Sequence, residues 1–148
     1  MSYNTQTRGF NVETLSNREL VEASGMTRGG TAVLMRYDDN ATSVQNFYLE
    51  MYDNAGAQLG PTVDLRGLAT HKAALQNDFR ILGLSNGNVL VAYNKNDTGQ
   101  AGDPDAFFFV VDRSGQKVVN DVKINTLAGA TLTRGLDLIE LKNGNIAF

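Results

Sequence analysis

The chain has 148 residues, with 13 Lys plus Arg, 16 Asp plus Glu, a net charge of −3 and a single His. This mild acidity argues against a coat for nucleic acid or an anionic membrane. The absence of Cys excludes disulfide scaffolds, thiolate metal sites and Cys nucleophiles, and one His excludes a His-cluster metal site. With 42% apolar and 20% charged residues, the chain is too apolar for disorder and long enough for one domain with a real core.

The first ten residues are polar and lack the apolar centre of a secretory signal peptide. No apolar run approaches the roughly 18 residues of a membrane span, so no membrane insertion is expected. Over 7–37 two registers compete. In one, Thr7-Arg8-Gly9-Phe10 opens a first strand over 10–15, which leaves 31–37 as an extra strand. In the other, Met26-Thr27-Arg28-Gly29 is a turn between strands over 21–26 and 31–37, and 10–14 is the last strand of a neighbouring unit. The second is preferred because it keeps four strands per unit. Strands follow over 47–52, ending at Asp53-Asn54-Ala55-Gly56, and over 63–65.

After 69–72 come strands over 79–84 and 89–93, joined at Asn86-Gly87, a pair that supplies the positive φ angles of a tight hairpin. A polar loop over 94–105 leads to strands over 107–111 and 118–124, joined at Asp112-Arg113-Ser114-Gly115. Phe107, Phe108 and Phe109 alternate faces, as a strand covered on both sides requires. A strand over 136–141 and a second Asn-Gly turn at Asn143-Gly144 precede Ile146-Ala147-Phe148, where the chain stops within what reads as a strand. A bare apolar strand edge there predicts either that the chain is a fragment or that another segment pairs with it.

Self-similarity organises these elements. Leu84-Ser85-Asn86-Gly87-Asn88-Val89 recurs as Leu141-Lys142-Asn143-Gly144-Asn145-Ile146, 57 residues on. Asp53 and Gly56 recur as Asp112 and Gly115, and Val63-Asp64-Leu65 as Val122-Lys123-Ile124, each 59 residues on. The predicted fold is therefore all-β, a single domain of four-stranded antiparallel meander repeats of about 57 residues, β-propeller-like and incomplete in one chain. The expected division is an orphan strand or closing arm over 1–18, units over 19–68 and 69–127, and a partial unit over 128–148.

The pattern Leu-x-Asn-Gly-Asn, apolar run, Asp-x-x-Gly and Val-x-Ile-Asn resembles the blade repeats of large bacterial secreted and surface proteins, including calcium-dependent repeat-in-toxin adhesins. The resemblance is clearest over 79–148. Asn125-Thr126 follows the last strand as in those repeats, and Tyr93 stands about where they carry Trp. The resemblance implies a propeller fold and a secreted or cell-surface location, and the absence of Cys fits an extracellular or virion protein. It does not specify an activity.

Asn94, Asn96, Thr98 and Asp105 fall at positions 1, 3, 5 and 12 of a calcium-loop spacing. The first three are neutral, Lys95 adds positive charge, and a strand-connecting loop explains the same residues, so calcium is the only cofactor this chain suggests. Tyr37, Tyr52 and Tyr93 are candidate sugar-binding residues, each pairing a ring face with a hydroxyl; Tyr48 is a fourth tyrosine of the same kind. His71 has no nucleophile or orienting acid tied to it by sequence. Arg8, Arg28, Arg80 and Arg134 read as a solvated face. No catalytic residue is identified. The expected function is a non-enzymatic scaffold or interaction module of a surface, adhesion or virion assembly, with copies of itself or the rest of a longer repeat protein as partners. The alternatives are a multi-chain glycan-binding propeller and a glycosidase propeller fragment, which would need paired carboxylates across a pocket.

Overall fold

The computed structural model describes residues 18–39, 44–66, 68, 79–95, 105–124 and 137–148. These residues are all-β, with no helix. Four strands form the first antiparallel sheet in sequential order: β1 (Arg18–Gly25), β2 (Thr31–Asp39), β3 (Val44–Tyr52) and β4 (Val63–Asp64). Four more form the second in the same order: β5 (Phe79–Gly83), β6 (Val89–Lys95), β7 (Asp105–Val111) and β8 (Lys117–Lys123). A hairpin of β9 (Ile139–Glu140) and β10 (Ile146–Ala147) completes the described chain.

Strands β1 and β2 flank the turn at 26–30, the arrangement of the second register. Residues 10–14 of that register, the junction at 69–72 and His71 lie outside the described residues. The strand expected over 21–26 begins earlier, at Arg18, because Arg18, Glu19 and Leu20 pair with Tyr37, Arg36 and Met35. The strand expected over 47–52 begins at Val44, where β2 continues to pair with it.

Five turns share one hydrogen-bond pattern. In the second sheet the Gly87 amide donates to the Leu84 carbonyl at 2.9 Å, and the Leu84 amide donates to the Asn88 carbonyl at 2.8 Å. The same pair of bonds closes Met26–Gly30, Asp53–Ala57, Asp112–Gln116 and Leu141–Asn145. The tight Asn-Gly hairpin turns are three-residue loops closed by a glycine bulge. Gly87 takes φ +89 and Gly144 φ +80. The Asn instead acts through its side chain: Asn86 Oδ1 accepts the Asn88 amide at 3.0 Å, and Asn143 Oδ1 accepts the Asn145 amide at 3.1 Å. Asp112 Oδ1 does the same for the amides of Ser114 and Gln116. The Ser114 hydroxyl, donating to it at 2.7 Å, and then those amides hold its carboxyl below the ordinary value.

The central strands of the second sheet, β6 and β7, are covered on both faces, while β8 is exposed. On one face Phe79, Ile81, Val89, Val91, Tyr93, Phe109 and Val111 pack with Ala32, Leu34, Phe47, Leu49, Met51 and Leu65 of the first sheet and its C-terminal edge. One ring pair crosses the interface, Phe47 with Phe79 at 4.6 Å between centroids, and Phe79 in turn stacks on Tyr93 of its own sheet at 6.0 Å. On the other face Leu84, Leu90, Ala92, Ala106 and Val110 pack with Leu138 and Ile146 of the hairpin. Double coverage explains why β6 reads Val-Leu-Val-Ala-Tyr without alternation. Each fully buried large side chain contributes about 1.5–3 kcal/mol.

The sheets also meet at a strand edge. Strand β5 pairs only with β6 among the described residues, so alternate amides on its far side lack a ladder partner. Side chains of β1 accept them: Ile81 donates to Glu22 Oε2 at 3.0 Å and Gly83 to Ser24 Oγ at 2.9 Å. The Thr27 hydroxyl then donates to the Leu84 carbonyl at 3.0 Å. A Cβ on Gly83 would lie 2.0 Å from the Gly25 carbonyl oxygen, so this close approach requires glycine. Across the next junction, the Ser85 amide and hydroxyl both donate to the Glu140 carboxylate at 2.7 Å.

Candidate functional site on the outer face of the first sheet

Alternation in β2 and β3 sends Ala32, Leu34, Phe47, Leu49 and Met51 to the core. The same alternation puts Val33, Met35 and Tyr37 on the opposite face, with Tyr48, Glu50 and Tyr52 across from Met35, Val33 and Thr31. Arg18 of β1 lies opposite Tyr37 and joins this face.

Glu50 is the centre of the face and is only 6% exposed. A buried carboxylate needs donors to offset its lost hydration. Three are present. The Tyr52 hydroxyl donates to Oε2 at 2.6 Å, the Thr62 hydroxyl to Oε1 at 3.1 Å, and Arg18 Nη1 to Oε1 at 3.3 Å. Burial, and then the hydrogen bond to Glu50, push the Tyr52 phenol up to about 12. At the rim, Arg66 lies 5.8 Å from the Tyr48 ring centroid and forms an ion pair with Asp64, which holds the Asp64 carboxyl below its ordinary value.

Two of the three candidate tyrosines, Tyr37 and Tyr52, thus share one sheet face with Tyr48. Tyr93 is not with them. It is 2% exposed between the two sheets, stacks on Phe107 at 5.7 Å, and donates its hydroxyl to Asp121 Oδ1 at 2.6 Å. Burial raises its pKa, and Asp121 raises it further. Burial alone would raise the Asp121 carboxyl too. The hydrogen bonds from Lys117 and Tyr93 outweigh it and hold that carboxyl low. Glu50, Arg18 and Thr62 were not singled out by sequence reasoning. The available signal was an acid inside the alternating run 47–52, at the place that Phe109 takes one repeat later.

Of the calcium-loop residues, Asn94 and Asp105 belong to strands, not to a loop. Asp105 pairs with Lys95 and Asn94 with Ala106, so the two point to opposite faces of the second sheet. Lys123 Nζ lies 2.7 Å from the Asp105 carboxylate, which gives that acid a side-chain counterion. Asn96 and Thr98 lie outside the described residues. Among the described residues, no group of three or more His, Cys, Asp or Glu is placed to hold a metal ion.

The outer face can offer rings and a hydroxyl-rich rim to a polyol, with Glu50 as an acceptor already engaged by three donors. Comparison with protein-family models, with curated proteins and with solved structures returned no match.

Proposed function

We propose that the chain is a non-enzymatic repeat scaffold, built from consecutive blade-like meanders of a β-propeller-type assembly that is open in a single chain. The observation that carries this reading is that the first turn of each sheet bonds to the first strand of the next unit. Thr27 of the first sheet donates to the Leu84 carbonyl just past β5, and Ser85, at the matching place in the second sheet, donates to the Glu140 carboxylate of β9. The two junctions use different acceptors but join the same parts of successive units, which supports stacking as in repeat proteins whose units bury their faces on their neighbours. Such a scaffold acts through surfaces; the resemblance of the repeat to those of secreted and surface proteins and the absence of Cys support a secreted, cell-surface or virion setting.

The test is the native mass of the folded chain in solution, with and without calcium, together with a scattering profile. A scaffold with an open end predicts self-association or capture of partner strands, indifferent to calcium. A stable monomer that turns over a glycoside would overturn the reading.

A second reading, glycan binding, is favoured by one observation: Tyr37, Tyr48 and Tyr52 share a face around Glu50. It predicts glycan binding that Tyr52→Phe weakens and that Tyr93→Phe, a change in the core, leaves alone.

A further inference from the structure

Asparagine followed by glycine is chemically reactive as well as a turn former. Glycine has no Cβ to shield its nitrogen, so that nitrogen can attack the side-chain carbon of the asparagine before it. The turn Asn86-Gly87 places these reactants where three elements meet. Asn86 is exposed to water, and Gly87 is buried. Inside the turn both reacting groups are already committed. The Gly87 amide hydrogen goes to the Leu84 carbonyl, and Asn86 Oδ1 accepts the Asn88 amide.

The neighbouring elements then hold the turn itself. From the first sheet, the Thr27 hydroxyl donates to the same Leu84 carbonyl. The Arg28 side chain lies over Gly87, where a Cβ would come 2.9 Å from Arg28 Cδ. Arg28 is pinned in turn, because Arg113 Nη1 and Nη2 donate to the carbonyls of Arg28 and Gly29 at 3.1 and 3.0 Å. From the other side, Glu140 of β9 accepts the amide and the hydroxyl of Ser85. The contacts that join the sheets are thus the contacts that keep Gly87 from attacking Asn86. Asn143-Gly144 repeats the dipeptide and its internal bonds, but the bonds of Thr27 and Arg113 go to other places.

We infer that Asn86 is a deamidation site gated by the junction between the two sheets. When the junction opens, Gly87 gives up its amide proton and its nitrogen bonds to Cγ of Asn86. The Cγ–Nδ2 bond breaks, and ammonia leaves with that proton. Water then opens the five-membered succinimide at one of its two carbonyls. One product is aspartate. It keeps an acceptor for the Asn88 amide, as Asp112 does for the amides of Ser114 and Gln116. The other product is isoaspartate, in which the backbone runs through the side-chain carbons and gains one atom. The loop between Leu84 and Asn88 then no longer closes in the same geometry. Deamidation at Asn86 therefore records the parting of the sheets, and its isoaspartate branch hinders their return.

The test incubates the full chain in mildly alkaline buffer, folded and in urea, and follows the mass gain of amide to acid. Trypsin, cutting after Arg80, Lys95 and Lys142, puts Asn86 in peptide 81–95 and Asn143 in peptide 143–148, and fragmentation places the gain at one asparagine. In the folded chain the gain at Asn86 should be about tenfold slower, or more, than in urea, because the turn must open first. Thr27→Val, at an exposed position, should speed it about fivefold, the weight of one hydrogen bond, and leave Asn143 at the parent rate. Equal rates at Asn86 in buffer and urea, or no gain in urea, would overturn the inference. So would a Thr27→Val chain that leaves Asn86 unchanged, or that speeds Asn86 and Asn143 together, since the gate would then not be this junction. If Thr27→Val does not fold, Arg113→Ala, which frees Arg28 from its pin, reads the same gate with the same expected split.

Discussion

The two four-stranded sheets share strand order and turn geometry, yet one face differs in kind. In the second sheet, Phe109 and Val111 lie across from Val91 and Val89 and are fully buried. In the first sheet the matching places, across from Val33 and Thr31, hold Glu50 and Tyr52. The backbone tolerates either. What differs is the way each face meets the requirement that buried groups be satisfied. The second sheet meets it with apolar contact. The first meets it by surrounding one carboxylate with a phenol, a hydroxyl and a guanidinium. An apolar face is committed to packing, while the polar cluster commits its three donors to one carboxylate.

The comparison is broken most severely by removing an apolar anchor. Phe109→Ala should cost about 3–5 kcal/mol, read as a lowered midpoint of urea unfolding, because the cavity would open inside the packed interface. Gly83→Val should cost about 3 kcal/mol by the same assay, since its Cβ would meet the backbone of Gly25 and part the sheets at β1 and β5. Glu50→Ala should cost about 2 kcal/mol, by leaving Arg18, Tyr52 and Thr62 without their acceptor. A Glu50→Ala variant as stable as the parent would show that the cluster does not hold the first sheet.

Tyr93→Phe should cost about 1 kcal/mol, the worth of one hydrogen bond, and should also change the pH dependence. Asp121 has a lowered pKa in the folded chain, so its contribution is present above the unfolded carboxylate range and is lost as pH falls through the folded value. Removing the Tyr93 donor should shrink that acid loss, measured as stability against pH below about 4. Tyr52 behaves with the opposite sign. Its raised pKa makes its contribution complete below 10.0 and lost as pH rises toward about 12. Tyr52→Phe should flatten that alkaline loss, with phenol ionisation followed by ultraviolet absorbance. Smallest of all, Arg66→Ala should leave the unfolding midpoint unchanged, because its ion pair with Asp64 is exposed to water.

Much of the fold was legible in the chain because it rests on local chemistry. Asp-x-x-Gly and Asn-Gly marked turns that the structure contains, since glycine at positive φ and an Asx side chain act within five residues. The dipeptide did not fix the loop length, because Asn-Gly serves two lengths and the pairing of the flanking strands selects between them. The candidate site was legible only in part. Tyr37 and Tyr52 belong together because β2 and β3 pair in one register, whereas Tyr93 differs from them only in which face is covered, a property of the neighbouring sheet. Asn94 and Asp105 match a calcium spacing along the chain but diverge in space, because strand alternation puts them on opposite faces.

By itself, then, the sequence determined the all-β class, the turns and the order of strands, because these follow from residue periodicity and from the conformations open to Gly, Asn and Asp. Only the tertiary structure decided that Glu22 and Ser24 cap the edge of β5, that Glu50 is buried among three donors, and that Arg28 lies over Gly87. Each of those depends on which face of one sheet meets which element of another. That choice is made by contacts between residues some 12 to 59 positions apart, which local pattern does not encode.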